Sequence, residues 1–171
     1  VVTIGHAMVE QGHFAAPDIQ QKTDELMESR DKLHSTWDDR QAYLEQLYNQ
    51  QAFLRDANQL RNYSTSQEAY LKSSDHGDTV DHVEKLIKKH EAFENLLASQ
   101  EPKLEALKDY GSQLMKEKHF DEDGINATLI DVTNRRANIK DMSSRRKQQL
   151  SDSLLYTQFC RDAAEAESWM E

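Results

Sequence analysis

Seven histidines, 31 carboxylates and a single cysteine are the residues whose types could do chemistry in this 171-residue chain. A zinc site needs Cys, His or carboxylate ligands gathered at short, characteristic spacings. Neither His76 nor His82 has a Cys or a second His at such a spacing. His90 falls on an apolar helical stripe and reads as a core histidine with satisfied ring nitrogens. Asp121-Glu122-Asp123-Gly124-Ile125-Asn126 superficially resembles the start of a calcium loop. Its Gly comes two positions early, however, and Val132 stands where the bidentate Glu belongs. There is no Gly-rich phosphate loop and no nucleophile elbow, and carboxylate pairs need a concave fold to become a site. The expectation is no enzyme, no metal and no cofactor.

The elements that would have to position these residues are set by a repeat. Residues 1–65 laid on 107–171 without a gap give eleven identities: Gly5/Gly111, His13/His119, Phe14/Phe120, Ile19/Ile125, Arg30/Arg136, Arg40/Arg146, Leu44/Leu150, Phe53/Phe159, Arg55/Arg161, Asp56/Asp162 and Ala57/Ala163. Chance gives about four at ordinary residue frequencies. A long helical unit therefore recurs with a period of 106 residues. It makes His13 and His119 equivalents of one another, packed in turns, and excludes them as co-ligands. It also sets Cys160 opposite Leu54. Arg161 beside it could lower the thiol pKa, but the helical position predicts a buried, small apolar residue.

Composition agrees with long helices. Only 5 Gly and 2 Pro occur, 30% of residues are charged and 37% hydrophobic, which suits narrow apolar stripes better than a thick core. No run approaches the roughly 18 apolar residues of a membrane span, and no signal peptide opens the chain, so no direct membrane insertion is expected. A lone Cys inside a helix suits a reducing compartment. The net charge of −10 argues against nucleic acid and anionic membrane as partners. Lys88-Lys89, Arg135-Arg136 and Arg145-Arg146-Lys147 are interleaved with acids and read as solvated helix faces.

Breakers mark the helix ends. Pro17 opens a helix, and no Gly or Pro follows from Asp18 to His76. Ile19, Leu26, Leu33, Trp37, Leu44 and Leu47 recur at helical spacing, and the register continues through Phe53 and Leu60. One continuous helix is expected across residues 18–74, weakest at Ser64-Thr65-Ser66-Gln67. Ser73–Gly77 reads as a loop and Asp78 as the next N-cap. The following helix carries Val80, Val83, Ile87, His90, Leu97, Leu104 and Leu107, widened by Leu86, Phe93, Leu96 and Leu114. So broad a face implies two neighbours, hence a three-helix bundle. Pro102 predicts a bend near Gln100–Glu101 without a loop. His119–Gly124 reads as the second connection, and the last helix runs from Ile125 onward.

With these residues the chain resembles the spectrin repeat family. The resemblance is carried by Phe53-Leu54-Arg55-Asp56, Asp75-His76-Gly77-Asp78, the run from Val83 to Glu94 containing Lys89-His90-Glu91-Ala92-Phe93-Glu94, His119-Phe120, and Phe159-Cys160-Arg161-Asp162 with Glu167-Ser168-Trp169. It implies an all-α, left-handed three-helix coiled-coil bundle (helices A, B and C) with helix C continuous into helix A of the next repeat. By that mapping, residues 1–49 are the end of helix B and helix C of a partial repeat. Residues 50–158 form a complete repeat, and 159–171 start another. Tyr63 stands where the family usually has the helix A tryptophan found here at Trp169, and Pro102 is a second departure.

The function so implied is structural: a rod segment of a spectrin-like, actin-crosslinking membrane skeleton, each repeat advancing it by about 50 Å. The resemblance places it in the cytoplasm, at the cytoskeleton of the membrane-associated cell cortex. Its partners would be other spectrin-like chains, side by side or end to end, with actin and ankyrin held by other parts of the parent protein. The alternatives are a docking module for a specific protein, as in dystrophin- or plakin-like chains, and a curvature-sensing helical dimer, which the charge disfavours. The stripe Ile19, Leu26, Leu33, Trp37 and Leu44 has few intramolecular partners. Self-association is therefore expected through residues 1–49, by antiparallel pairing or helix exchange, with Phe159–Glu171 too short to complete the missing bundle.

Overall fold

The computed structural model describes residues 1–170. They form five helices, α1 (Val2–Glu10), α2 (Ala16–Leu71), α3 (Val80–Ser99), α4 (Glu101–Lys116) and α5 (Glu122–Met170), and no strand among the described residues. The chain divides into two compact units, Val1–Asn49 and Gln50–Glu171. With no breaker between Asp18 and Leu71, α2 stays helical for 56 residues, because each added residue contributes a hydrogen bond once the helix is nucleated. Ser64–Gln67, expected to be the weakest stretch, is helical throughout, and Ser64 and Gln67 are buried. Packing overrides their mediocre propensity.

Two helix ends are built alike, 106 residues apart. Gly12 N–H donates to Val9 O and His13 N–H to Met8 O; Lys118 N–H donates to Met115 O and His119 N–H to Leu114 O. Both are the paired bonds that close a helix on a left-handed residue. That residue is Gly12 (φ 69°) in one case and Lys118 (φ 56°) in the other. Immediately afterwards, His13 Nδ1 accepts from Ala15 N–H and His119 Nδ1 from Asp121 N–H. Each imidazole also lies 4.5 Å from its neighbouring Phe ring.

Three expected boundaries shift. Thr79, not Asp78, caps α3, its hydroxyl accepting from His82 N–H at 3.3 Å; Asp78 instead pairs with the His82 ring at 3.1 Å. The second connection ends at Asp121, because Glu122-Asp123-Gly124 already forms the first turn of α5. The break ahead of Pro102 narrows to Gln100, which keeps near-helical angles (φ −91°, ψ −10°). The interruption needs no loop because Pro102 sits in the first turn of α4, where its missing N–H leaves no bond unmade.

In the second unit the core lies in two apolar clusters. One gathers Phe53, Ala57, Leu60, Leu104, Leu107, Leu114, Ile125 and Val132. The other holds Leu71, Phe93, Leu97 and Ile139. Buried Gln67, Gln100 and Arg136 carry a polar network in the same bundle. Gly111 lets helices meet closely: a Cβ there would stand 2.7 Å from Leu129 and 3.0 Å from Phe53. Its counterpart Gly5 does the same in the first unit, where a Cβ would lie 2.6 Å from Thr23 Oγ1.

Candidate functional site

The polar network is organised around the helix break. Ending α3 at Ser99 frees carbonyls of its last turn, and Arg136 of α5 donates from Nη2 to Leu97 O. Its Nη1 reaches both Gln67 Oε1 and Gln100 Oε1 at 3.4 Å, and Gln67 Nε2 donates to Gln100 Oε1 at 2.7 Å. Glu101 receives Arg136 at 3.3 Å and Lys140 at 2.8 Å. The hydrogen bond from Lys140 holds the Glu101 carboxyl below its ordinary pKa, against the opposing effect of partial burial. Beside this network, Arg135 forms a two-pronged pair with Glu68, lowering the Glu68 pKa and raising its own.

A second buried arginine anchors the loop between α2 and α3. Arg146 donates from Nη1 to Ser73 O and from Nη2 to Asp75 O, and its guanidinium lies 5.4 Å from the Tyr70 ring centre. Tyr70 in turn stacks on Phe93 at 4.7 Å, and Phe93 on His90 at 5.7 Å. The sequence had placed both arginines on solvated faces; burial corrects that. The signal was present, because Arg136 and Arg146 each match an arginine in the repeat, Arg30 and Arg40. Arg135 and Arg145 match none at that offset and are the more solvent-exposed of each pair.

His90 lies in the core, but only one of its ring nitrogens is satisfied. Nε2 shares a hydrogen bond with Ser143 Oγ at 3.3 Å, and Nδ1 has no partner. Desolvation lowers its pKa. His82 is half-buried between Asp75 and Asp78, and its hydrogen bond lowers the Asp78 pKa. No group of three or more potential ligands for a metal occurs among the described residues. Cys160 is exposed, contrary to expectation: its counterpart Leu54 packs against a core cluster, whereas Phe159 beside Cys160 is 69% exposed.

Of the remaining landmarks, Phe53 is buried and Phe93 nearly so, while Leu86 and Ile87 are half-buried. Tyr63 is half-buried against the first cluster, with its hydroxyl on Gln59 and Lys103 Nζ 5.3 Å from its ring. Trp169 is exposed. Along residues 1–49, Leu26, Leu33, Trp37 and Leu44 are exposed and Ile19 is half-buried. The counterparts of all five, Ile125, Val132, Ile139, Ser143 and Leu150, are buried in the complete repeat.

Two helices of 56 and 49 residues and a period of 106 residues define an all-α helical repeat module. The spectrin repeat model matches residues 1–46 and 48–152, and the chain belongs to the spectrin repeat family, a structural, cytoskeletal one. Mouse erythrocytic spectrin alpha chain 1 is 29% identical over 166 residues, 97% of this chain and 7% of that protein. Human non-erythrocytic spectrin beta chain 5 is 32% identical over 154 residues, 90% of this chain and 4% of that protein. The Drosophila melanogaster spectrin beta chain is 37% identical over 116 residues, covering 68% and 5%. The chain thus spans less than a tenth of the length of these relatives. Alpha and beta chains match it about equally, so the likeness is to the repeat itself.

Proposed function

We propose that this chain is a spacer segment of a spectrin-like, actin-crosslinking protein, transmitting tension elastically through helices shared between successive repeats. The observation that carries this reading is α2, which stays helical from Ala16 to Leu71 through the boundary at residues 49 and 50. A shared helix resists bending where a loop would not, because bending it breaks consecutive backbone hydrogen bonds. The partners are other spectrin-like chains, side by side or end to end. Actin and ankyrin are engaged by other parts of a longer protein at the cytoplasmic cell cortex. Nucleic acid is not a partner, given the net charge of −10, and no helix among the described residues is long and apolar enough to cross a membrane.

The test is the stiffness of that junction in solution. Spin labels at the exposed positions Gln41 and Asn62 are 21 residues apart on α2, which is about 32 Å along an unbroken helix. A single narrow distance distribution near that value supports the spacer reading. A broad or shorter distribution overturns it.

A further inference from the structure

The grooves between neighbouring helices of the complete repeat are closed in different ways. Between α2 and α5, Arg61 pairs with Asp131 at 2.8 Å and Arg135 with Glu68 at 2.7 Å. Between α5 and the α3–α4 pair, Lys147 holds Glu94 at 2.7 Å and Lys140 holds Glu101 at 2.8 Å. From Tyr63 to Tyr70 of α2 no ion pair reaches α3 or α4 among the described residues, and lysines rest on aromatic rings instead. Lys89 Nζ stands 5.7 Å from the Tyr70 ring centre and Lys103 Nζ 5.3 Å from that of Tyr63. Both tyrosines are half-buried, and Leu96, seven residues from each lysine, is 54% exposed.

Lys89, Leu96 and Lys103 thus recur at the spacing of a coiled-coil seam, which returns them to one stripe. Gln100, with near-helical angles, carries that register across the break. Glu91 and Glu94 turn to the other side of α3, where Glu94 pairs with Lys147 and Glu91 lies beside the same lysine. A lysine resting on a ring face is held in place, yet its ammonium keeps donors for a carboxylate, and neither Lys89 nor Lys103 has one. A straight groove between two long helices, with anchors seven residues apart, is a shape that another helix fits. We propose that the groove between α2 and the α3–α4 pair, from Tyr63 to Lys103, docks an acidic amphipathic helix of another protein. Its carboxylates, fourteen residues apart, meet Lys89 and Lys103, and an apolar side chain midway between them covers Leu96. The net charge of −10 repels nucleic acid and a second copy of this chain alike. The inference is independent of the spacer reading, and the groove lies in the middle of the complete repeat.

The probe is a fluorescent Ala-rich peptide of about 24 residues, long enough to be helical alone, carrying Glu-x6-Leu-x6-Glu. That pattern reads the same in either direction along the groove. Anisotropy with the full chain should give a Kd on the order of 100 µM at low salt, weakening as salt is added. Lys89→Glu and Lys103→Glu change exposed side chains, and each should weaken binding about fivefold or more while helicity by circular dichroism stays unchanged. Lys116→Glu alters net charge equally at another exposed position and should leave binding as it was. A peptide with one Glu changed to Lys should bind the Lys103→Glu chain better than the original peptide does. No binding up to about 500 µM, equal binding of an all-Lys peptide, or a Lys116→Glu loss as large as that of Lys89→Glu would each overturn the proposal. So would Lys89-dependent binding to phosphatidylserine vesicles in place of the peptide, or competition by a second copy of the chain for the same groove.

Discussion

Burial holds the His90 imidazole below its ordinary pKa of 6.5, with Glu94 pulling the other way and Arg146 and Lys147 reinforcing the shift. On its own helix Glu94 lies 3.9 Å away and Phe93 stacks on it; from α5 come Ser143 and the two cations, and Tyr70 stacks on it from α2. Because the folded pKa is depressed, the unfolded chain takes up this proton first as pH falls. The contribution of neutral His90 is therefore complete above about pH 6.5 and is lost as pH falls through the folded value. Urea midpoints should drop between about pH 7.5 and 5.5, and His90→Leu should reduce that slope; an unchanged slope would count against a buried, neutral imidazole. The apolar seam is graded in the same way. Leu97 is 6% exposed and Leu97→Ala should cost about 2–5 kcal/mol. Half-buried Leu86 and Ile87 have less surface to lose, so alanine there should cost roughly 1–2 kcal/mol. Equal losses by chemical denaturation at all three sites would mean that helix α3 faces the core differently.

At the scale of an element, the two matched helix ends differ in one residue that matters energetically. Gly12 adopts its left-handed conformation without a Cβ clash, whereas Lys118 takes the same turn with a side chain. A left-handed L-residue costs roughly 1–2 kcal/mol, partly offset by the lower entropy of a lysine backbone than of glycine when unfolded. Lys118→Gly should thus stabilise the second unit by about 0.5–1 kcal/mol. Gly77→Ala should do the opposite, because Gly77 has φ 79° and a Cβ there would lie 2.7 Å from Val83. Paired denaturation curves read both signs, and a destabilised Lys118→Gly would show that the lysine side chain contributes something its backbone conformation conceals.

At the scale of the whole molecule the decisive element is α2, which crosses residues 49 and 50 without a break. Gln50→Pro removes a mid-helix N–H and sets its ring against the carbonyl of Gln46, costing about 3 kcal/mol or more. Helicity should fall, and hydrogen exchange should show amides of 20–48 losing protection by a larger factor than those of 125–150. Equal loss in both ranges would mean that the two units unfold as one body, whatever the state of the junction.

Much of this was legible in the chain itself. Period, helix spans and the break ahead of Pro102 follow from local properties: where Gly and Pro stand, and which apolar residues recur at helical spacing. The family resemblance was likewise visible in short segments such as Lys89–Glu94. What local patterns could not decide was which charged or polar residue would be drawn inside. Arg136 and Arg146 look like their surface neighbours until a helix break and a loop present carbonyls that need donors, and those carbonyls come from elements 35 residues or more away. Thr79 outcompeted Asp78 as the cap because its hydroxyl reaches His82 N–H, while the Asp78 carboxylate is engaged by the His82 ring. Cys160 and Phe159 carry the pattern of a buried helix face, yet burial also requires a second surface. Sequence alone determined which residues share a face; tertiary structure decided which faces find a partner, because hydrophobic and hydrogen-bonding gains exist only between groups brought into contact.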